Sequence, residues 1–241
     1  MRAHGIAISK YQGRFTMPDA PPYPVDFVIQ RMSYGLRMDE SYTQLSQDIK
    51  DVPIRGAYHY FSSGATWQDQ VDLFLSLADG YDFLACDVES AFNNVNATFA
   101  LGAVSFMNEV KRRTGKRVLL YTNPSVYKQL QALVDPLLLL QFPLWIAQYW
   151  WVANPAKNPG MYGMIRDSSD WNFYQYSADG NNKGALYGVL SRDVDLNVYN
   201  GTLDELREWL GEPEPPADNT LEQGKQAAYT EMIDYLKGKL T

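Results

Sequence analysis

Eight short runs rich in Val, Ile, Leu, Phe and Tyr punctuate the chain, at 4–9, 26–31, 54–61, 83–89, 117–122, 144–149, 172–177 and around 194–198. Most are near-continuously apolar rather than alternating, the pattern of strands covered on both faces, and capped helical patterns separate several of them. Thr66 precedes Trp67, Val71, Phe74, Leu75 and Ala78. Phe99, Ala103, Phe106, Met107 and Val110 form a second apolar face that ends in Lys111, Arg112, Arg113 and Gly115. Asn123-Pro124 reads as a cap with proline in the first turn, and Ser41/Gln44 and Thr202/Glu205 read as capping boxes. Strand–helix alternation implies a largely parallel sheet. About eight strands in a chain of this length favour closure into a TIM-like (β/α) barrel over an open sheet. The later connections are short or irregular, so the expected fold is an irregular α/β barrel with some helices missing.

Composition narrows the function. The 241 residues carry a formal charge of −7, which argues against a nucleic-acid partner, since phosphate backbones are engaged by clustered Lys and Arg. With one cysteine, Cys86, no disulfide within the chain can form, and with two histidines, His4 and His59, no zinc-ligand spacing occurs. No metal or other cofactor is expected. The longest apolar stretch, 133–142, is broken by Asp135, Pro136 and Gln141, so no membrane span is expected. The start lacks the apolar core of a secretory signal, and synthesis in a cytoplasm followed by release is the expectation.

At Glu212 the composition changes. The acidic, proline-rich 212–219 reads as an extended linker, and Thr220 with Gln223 opens an amphipathic pattern through Leu221, Ala228, Tyr229, Met232, Ile233, Leu236 and Leu240. Two parts follow: a barrel over 1–211, and a linker plus helix over 212–241 suited to self-association or a protein contact. Truncation after Gly211 should leave the melting temperature nearly unchanged. A loss above roughly 10 °C, several kcal/mol for a domain of this size, would show that the helix belongs to the core.

The chemistry-bearing segment is Leu84-Ala85-Cys86-Asp87-Val88-Glu89-Ser90. Asp87 and Glu89 lie two apart on a strand, hence on one side and about 6.6 Å apart along it, at the C-terminal end where barrel enzymes keep their chemistry. Two such carboxyls disfavour double ionisation, so one stays protonated near neutrality, as a glycosidase's general acid must. Asp195, in Asp193-Val194-Asp195-Leu196-Asn197, is a further acidic candidate. His59, between aromatic residues, reads as a hydrogen-bonded core residue, and Cys86 as an inert buried thiol.

The blocks GIAISKYQG (5–13), GAYHYF (56–61), DVE (87–89), TGK with LYT (114–122), LWIAQY (144–149), WNFYQY (171–176) and VDLNVYNG (194–201) resemble, in order, those of the family 25 glycoside hydrolases, lysozymes of the Chalaropsis type common as phage endolysins. The resemblance implies an irregular β/α barrel and cleavage of the N-acetylmuramic acid–N-acetylglucosamine β-1,4 bond of bacterial peptidoglycan. It implies Glu89 as general acid, Asp87 as the carboxyl that orients the substrate's N-acetyl group or tunes Glu89, and Asp195 as a further acid. Tyr58, Tyr60, Tyr121, Trp145 and Gln175 would line the sugar groove. The implied setting is a phage lysin, made in the host cytoplasm and acting on the wall after release.

One position departs. Where the family's opening block has aspartate, this chain has Ala7, which can neither accept a hydrogen bond through its side chain nor act as a base. The block Gln30-Arg31-Met32-Ser33-Tyr34-Gly35 also departs from the family's lysine and glutamate. The alternative reading is therefore a catalytically impaired, peptidoglycan-binding barrel. Activity persists at a reduced rate if the substrate's acetamido group attacks while Asp87 and Glu89 handle protons.

Overall fold

The computed structural model describes residues 1–149, 158–159 and 170–211. Nine strands form one sheet: β1 (His4–Ile8), β2 (Phe27–Tyr34), β3 (Arg37–Met38), β4 (Ile54–Tyr60), β5 (Phe83–Asp87), β6 (Val118–Thr122), β7 (Leu144–Ala147), β8 (Phe173–Ser177) and β9 (Asp195–Tyr199). Their order is β1-β9-β8-β7-β6-β5-β4-β2-β3, and a β1–β2 pairing closes eight of them into a barrel. β1, β2 and β4 to β8 run parallel, and β9 runs antiparallel between β8 and β1. All eight expected strands are present. β3, a two-residue hairpin partner of β2, is too short to leave a periodic signal.

The helices are α1 (Tyr42–Asp48), α2 (Trp67–Leu77), α3 (Ala97–Thr114), α4 (Pro124–Leu133), α5 (Pro136–Leu140) and α6 (Leu203–Gly211). Side-chain caps explain where most start. Thr66 Oγ1, Asn96 Oδ1 and Asn123 Oδ1 each accept a first-turn N–H, from Asp69, Phe99 and Val126. At α6 the box is reciprocal, with Glu205 N–H to Thr202 Oγ1 and Thr202 N–H to Glu205 Oε2. The expected box at Ser41 does not form: the Ser41 side chain makes no cap bond, and its own N–H is taken by Asp39 Oδ1. The β1–β2 connection contains no helix, and two 3-10 turns, Gly180–Asn182 and Gly184–Tyr187, join β8 to β9. The expectation of missing helices holds there. The expected linker and helix of 212–241 lie outside the described residues.

Inside the barrel, large and small side chains alternate. Phe27, Phe83, Trp145 and Phe173 are at most 1% exposed, and Gly5 and Gly56 make room for two of these rings. A Cβ on Gly5 would lie 2.3 Å from both the Phe27 ring and the Phe27 carbonyl oxygen, and one on Gly56 would lie 2.4 Å from Phe83. A carbonyl in a paired strand cannot swing aside. Gly5→Ala should therefore destabilise the barrel by about 2–3 kcal/mol, visible as a lower urea midpoint at unchanged slope. An unchanged midpoint would mean the β1–β2 register is wrong.

Helix α6 closes the floor, the end where the parallel strands begin. Leu206 is fully buried in the barrel core, and the Trp209 ring lies 6.1 Å from Phe173 and 5.8 Å from Tyr199. Arg117, just ahead of β6, stacks on the Trp209 ring at 4.4 Å and donates to its carbonyl oxygen. With its floor plugged, the barrel is left open at the opposite end.

Candidate active site

That opposite end gathers the acidic residues. Asp87 ends β5, Glu89 follows two residues later, and Asp195 opens β9, whose reversed direction brings its first residue to the same rim. Asp195 pairs in register with Ala7 of β1, and Tyr60 with Asp87. Ala7 thus shares the inner face with Asp195. It is 1% exposed and packs in the interior cluster that also holds Tyr58 and Tyr121.

Burial raises all three carboxyls. Asp87 is pushed well above the carboxylate range by desolvation, then by the charge of Glu89 and a hydrogen bond to it. Its Oδ1 is buried without a hydrogen-bond partner. Glu89 is raised by desolvation, partly offset by the hydrogen bond from Asp87. Both carboxyls are thus held above the ordinary carboxylate range, and each disfavours ionisation of the other. Asp195 rises to about 7, through desolvation and the charge of Glu89, against the opposing pull of Arg31.

Arg31 is the one cation among these acids. Its Nε donates to the fully buried Asp39 at 2.7 Å, and its guanidinium lies 5.2 Å from the Tyr11 ring and 5.3 Å from the Tyr34 ring. A bulge between Arg31 and Ser33 leaves Met32 unpaired and re-aims the strand at this point.

The named sugar-binding candidates divide into two sets. Tyr121 and Glu89 line a cavity of about 450 Å³ with Asn123, Gln148 and Tyr149, and the half-buried Tyr60 lines a second. Tyr58, Trp145 and Gln175 instead form the layer beneath. Trp145 is a correction: it is 1% exposed, its Nε1–H donates to Asn197 Oδ1 at 2.9 Å, and its ring meets Tyr121 at 4.4 Å, so it offers no free face to a sugar. Gln175 is 2% exposed, and its Oε1 accepts from the hydroxyls of Tyr121 and Tyr149, fixing both at the cavity wall. Arg31 and Tyr149 escaped sequence reasoning, Arg31 because only the bulge and the Asp39 contact turn it into the site.

His59 is a core residue. It is fully buried, donates Nε2–H to Gln70 Oε1 (an oxygen that can only accept), and so takes the Ser33 hydroxyl at Nδ1. Burial lowers it to about 4, which keeps it neutral. Cys86 is buried, its thiol raised by desolvation and therefore unreactive. Among the described residues no group of three or more His, Cys, Asp and Glu could hold a metal, and no helix is long and apolar enough to cross a membrane.

Asp195 gives a stability prediction with a definite sign. Its folded value, about 7, lies above the ordinary 3.8, so the folded state binds the extra proton and this group's contribution declines as pH rises from about 4 to 7. Asp195→Asn copies the protonated form. It should raise stability at pH 8 and change little at pH 4. Part of the residue's surface still reaches solvent, so the expected gain is about 1–3 kcal/mol. Thermal melts at the two pH values test it, and an equal effect at both would refute the raised value.

Comparison with known proteins agrees with this geometry. A protein called YegX from Escherichia coli, itself uncharacterized, is 28% identical over 220 residues, covering 86% of this chain and 73% of its own. A lysozyme from Streptomyces coelicolor superposes with a TM-score of 0.68 at 24% identity, covering 86% of this chain and 95% of its own. The catalytic domain of endolysin ply40, from a bacteriophage of Listeria monocytogenes, does so at 0.66 and 24%, covering 88% and 98%. These two likenesses speak for the barrel. The family model for "Glycosyl hydrolases family 25" matches residues 6–185, a span that includes Ala7, Asp87 and Glu89, and the chain belongs to that family.

Proposed function

We propose that this protein is a muramidase that hydrolyses the β-1,4 bond between N-acetylmuramic acid and N-acetylglucosamine in bacterial peptidoglycan. The observation that carries the reading is the placement of two acids at the ends of the parallel strands, with Glu89 on the wall of a cavity of about 450 Å³ and Asp87 buried at the end of β5, both raised above the ordinary carboxylate range. Glu89, lining the cavity and raised toward its protonated form, is suited to protonate a glycosidic oxygen, while the buried Asp87 is suited to hold the substrate's acetamido N–H. Asp195, ionised above about pH 7, supplies negative charge where positive charge develops at the anomeric carbon. With Ala7 in β1 no fourth carboxyl stands opposite among the described residues, so attack by the acetamido oxygen is the route that the remaining groups support.

A phage lysin is the proposed setting: the chain would be made in a bacterial cytoplasm and reach the wall at lysis. Its likeness to endolysin ply40 supports this. The impaired, wall-binding barrel is the reading that Ala7 favours. Loss of turbidity of a cell-wall suspension, followed by mass analysis of the new reducing ends, separates the two. Reducing-end muramic acid establishes the muramidase, and wall binding without new ends establishes the binding protein.

A further inference from the structure

The open end of the barrel holds a second cavity. The 450 Å³ one lies by the ends of β6 and β7. The other, of about 520 Å³, lies by the ends of β1, β2 and β4, and Tyr60, the register partner of Asp87, is in its wall. Its lining is unlike that of the rest of this acidic protein, for Lys10, Arg31 and Arg37 all contribute.

Two of these cations are only partly satisfied or not at all. Lys10 is paired with Glu40 at 3.0 Å. Arg31 spends its Nε on Asp39, but its Nη2 is buried with no hydrogen-bond partner. Arg31 therefore acts on the cavity through its charge rather than through that N–H. Arg37, exposed on β3, has no carboxylate partner among the described residues. Phe92 also lines the cavity. It is wholly exposed and held at φ 60, an unusual conformation for a bulky aromatic. An exposed guanidinium such as that of Arg37, beside the aromatic faces of the lining and backed by the charges of Lys10 and Arg31, suits a planar anion held by paired hydrogen bonds, which a carboxylate is.

The substrate reading identifies the source of such an anion. Muramic acid, one of the two sugars at the scissile bond, bears a lactyl group that carries a short peptide with free carboxylates. With that bond at Asp87 and Glu89, a substituent leaving the ring across Tyr60 enters this cavity. We propose that the Lys10–Arg31–Arg37 cavity receives a carboxylate of the stem peptide, so that the protein selects peptide-bearing glycan over bare glycan. The inference rests on the peptidoglycan reading and adds a determinant of substrate choice to it.

The test compares intact, peptide-bearing glycan with glycan stripped of peptide by an amidase and then amidated at the lactyl carboxylate that the amidase frees, for the parent and for Arg37→Glu. Arg37 is exposed, so charge reversal there leaves the fold intact, which a melting curve verifies. In the parent, kcat/KM should favour the peptide-bearing polymer by about tenfold or more, and Arg37→Glu should bring the ratio near one, chiefly through KM. Equal rates on both polymers for the parent, or an undiminished ratio in Arg37→Glu, overturns the proposal. If the parent cleaves neither, the muramidase reading fails and the cavity is judged by calorimetry with a soluble muramoyl-peptide. Binding weakened about tenfold both by Arg37→Glu and by amidation of the peptide carboxylates upholds it, and no binding overturns it. Tight binding of poly(glycerol phosphate) with none of muramoyl-peptide also overturns it, assigning the cavity to a phosphate polymer.

Discussion

Glu89→Gln should abolish wall lysis while leaving the barrel folded. Glutamine preserves the shape of the side chain but cannot pass a proton to a leaving oxygen, and general acid catalysis of this kind is worth roughly 10²–10⁴ in rate. The substitution also removes one charge from the Asp87–Glu89 pair. Asp87 loses the neighbouring charge that helps to raise it, and Asp195 loses the charge of Glu89. Both should titrate lower than in the parent, a shift that carbonyl NMR of the two side chains would read. Lysis within a factor of two of the parent, in a variant with an unchanged melting curve, would remove Glu89 from the mechanism.

Ala7→Asp should have the second-largest effect, in the opposite direction. Ala7 stands in register with Asp195 on the inner face of the barrel, so a carboxylate there joins the existing three acids. If it orients water or the acetamido group only as the transition state forms, kcat should rise by roughly tenfold to a thousandfold, about 1.4–4 kcal/mol. Added negative charge disfavours ionisation of Glu89, so the alkaline limb of the pH–rate profile, set by loss of the acid's proton, should move to higher pH. Stability should fall, most above pH 7, where the crowded carboxyls must all ionise. Arg31, whose charge already acts on Asp87 and Asp195, limits that loss. If neither rate nor alkaline limb changes, Ala7 does not take part in the cleft. If both proteins bind walls and cut nothing, the binding-protein reading replaces the muramidase one.

The strands were legible because both of their faces are buried. β5 is an example, with Phe83, Ala85 and Asp87 turned inward while Leu84 and Cys86 are fully buried on the other side. That double burial yields continuous apolar runs, and eight of them imply closure. α5 was missed because five residues, Pro136–Leu140, span little more than one turn, too few for a period to declare itself. Ser41 misled because a cap is a competition for an N–H, and Asp39, also bound to Arg31 and Lys10, won it. In the site, Asp87 and Glu89 were visible from spacing alone. Trp145 was placed in the sugar groove by the resemblance of its block, LWIAQY, to the family's, yet strand parity turns it toward Asn197 in the interior. The cationic cavity could not be foreseen, since it joins residues near 10, 31–37, 60 and 92 that only closure of the barrel assembles.

The reversed direction of β9 has a consequence for handling the molecule. Because β9 starts at the rim and ends at the floor, the strand that opens the barrel and the strand that closes it reach the floor side by side, tied by bonds from Ala3 N–H to the Gly201 oxygen and from Tyr199 N–H to the Ala3 oxygen. Both attachment points of the barrel, ahead of β1 and after α6, are on the side away from the cleft. A tag, a resin or a fused module joined ahead of β1, or directly after Gly211 in a barrel truncated there, therefore starts from the side away from the rim. A barrel truncated after Gly211 and immobilised through one terminus or the other should digest a soluble glycan at the same rate from both orientations.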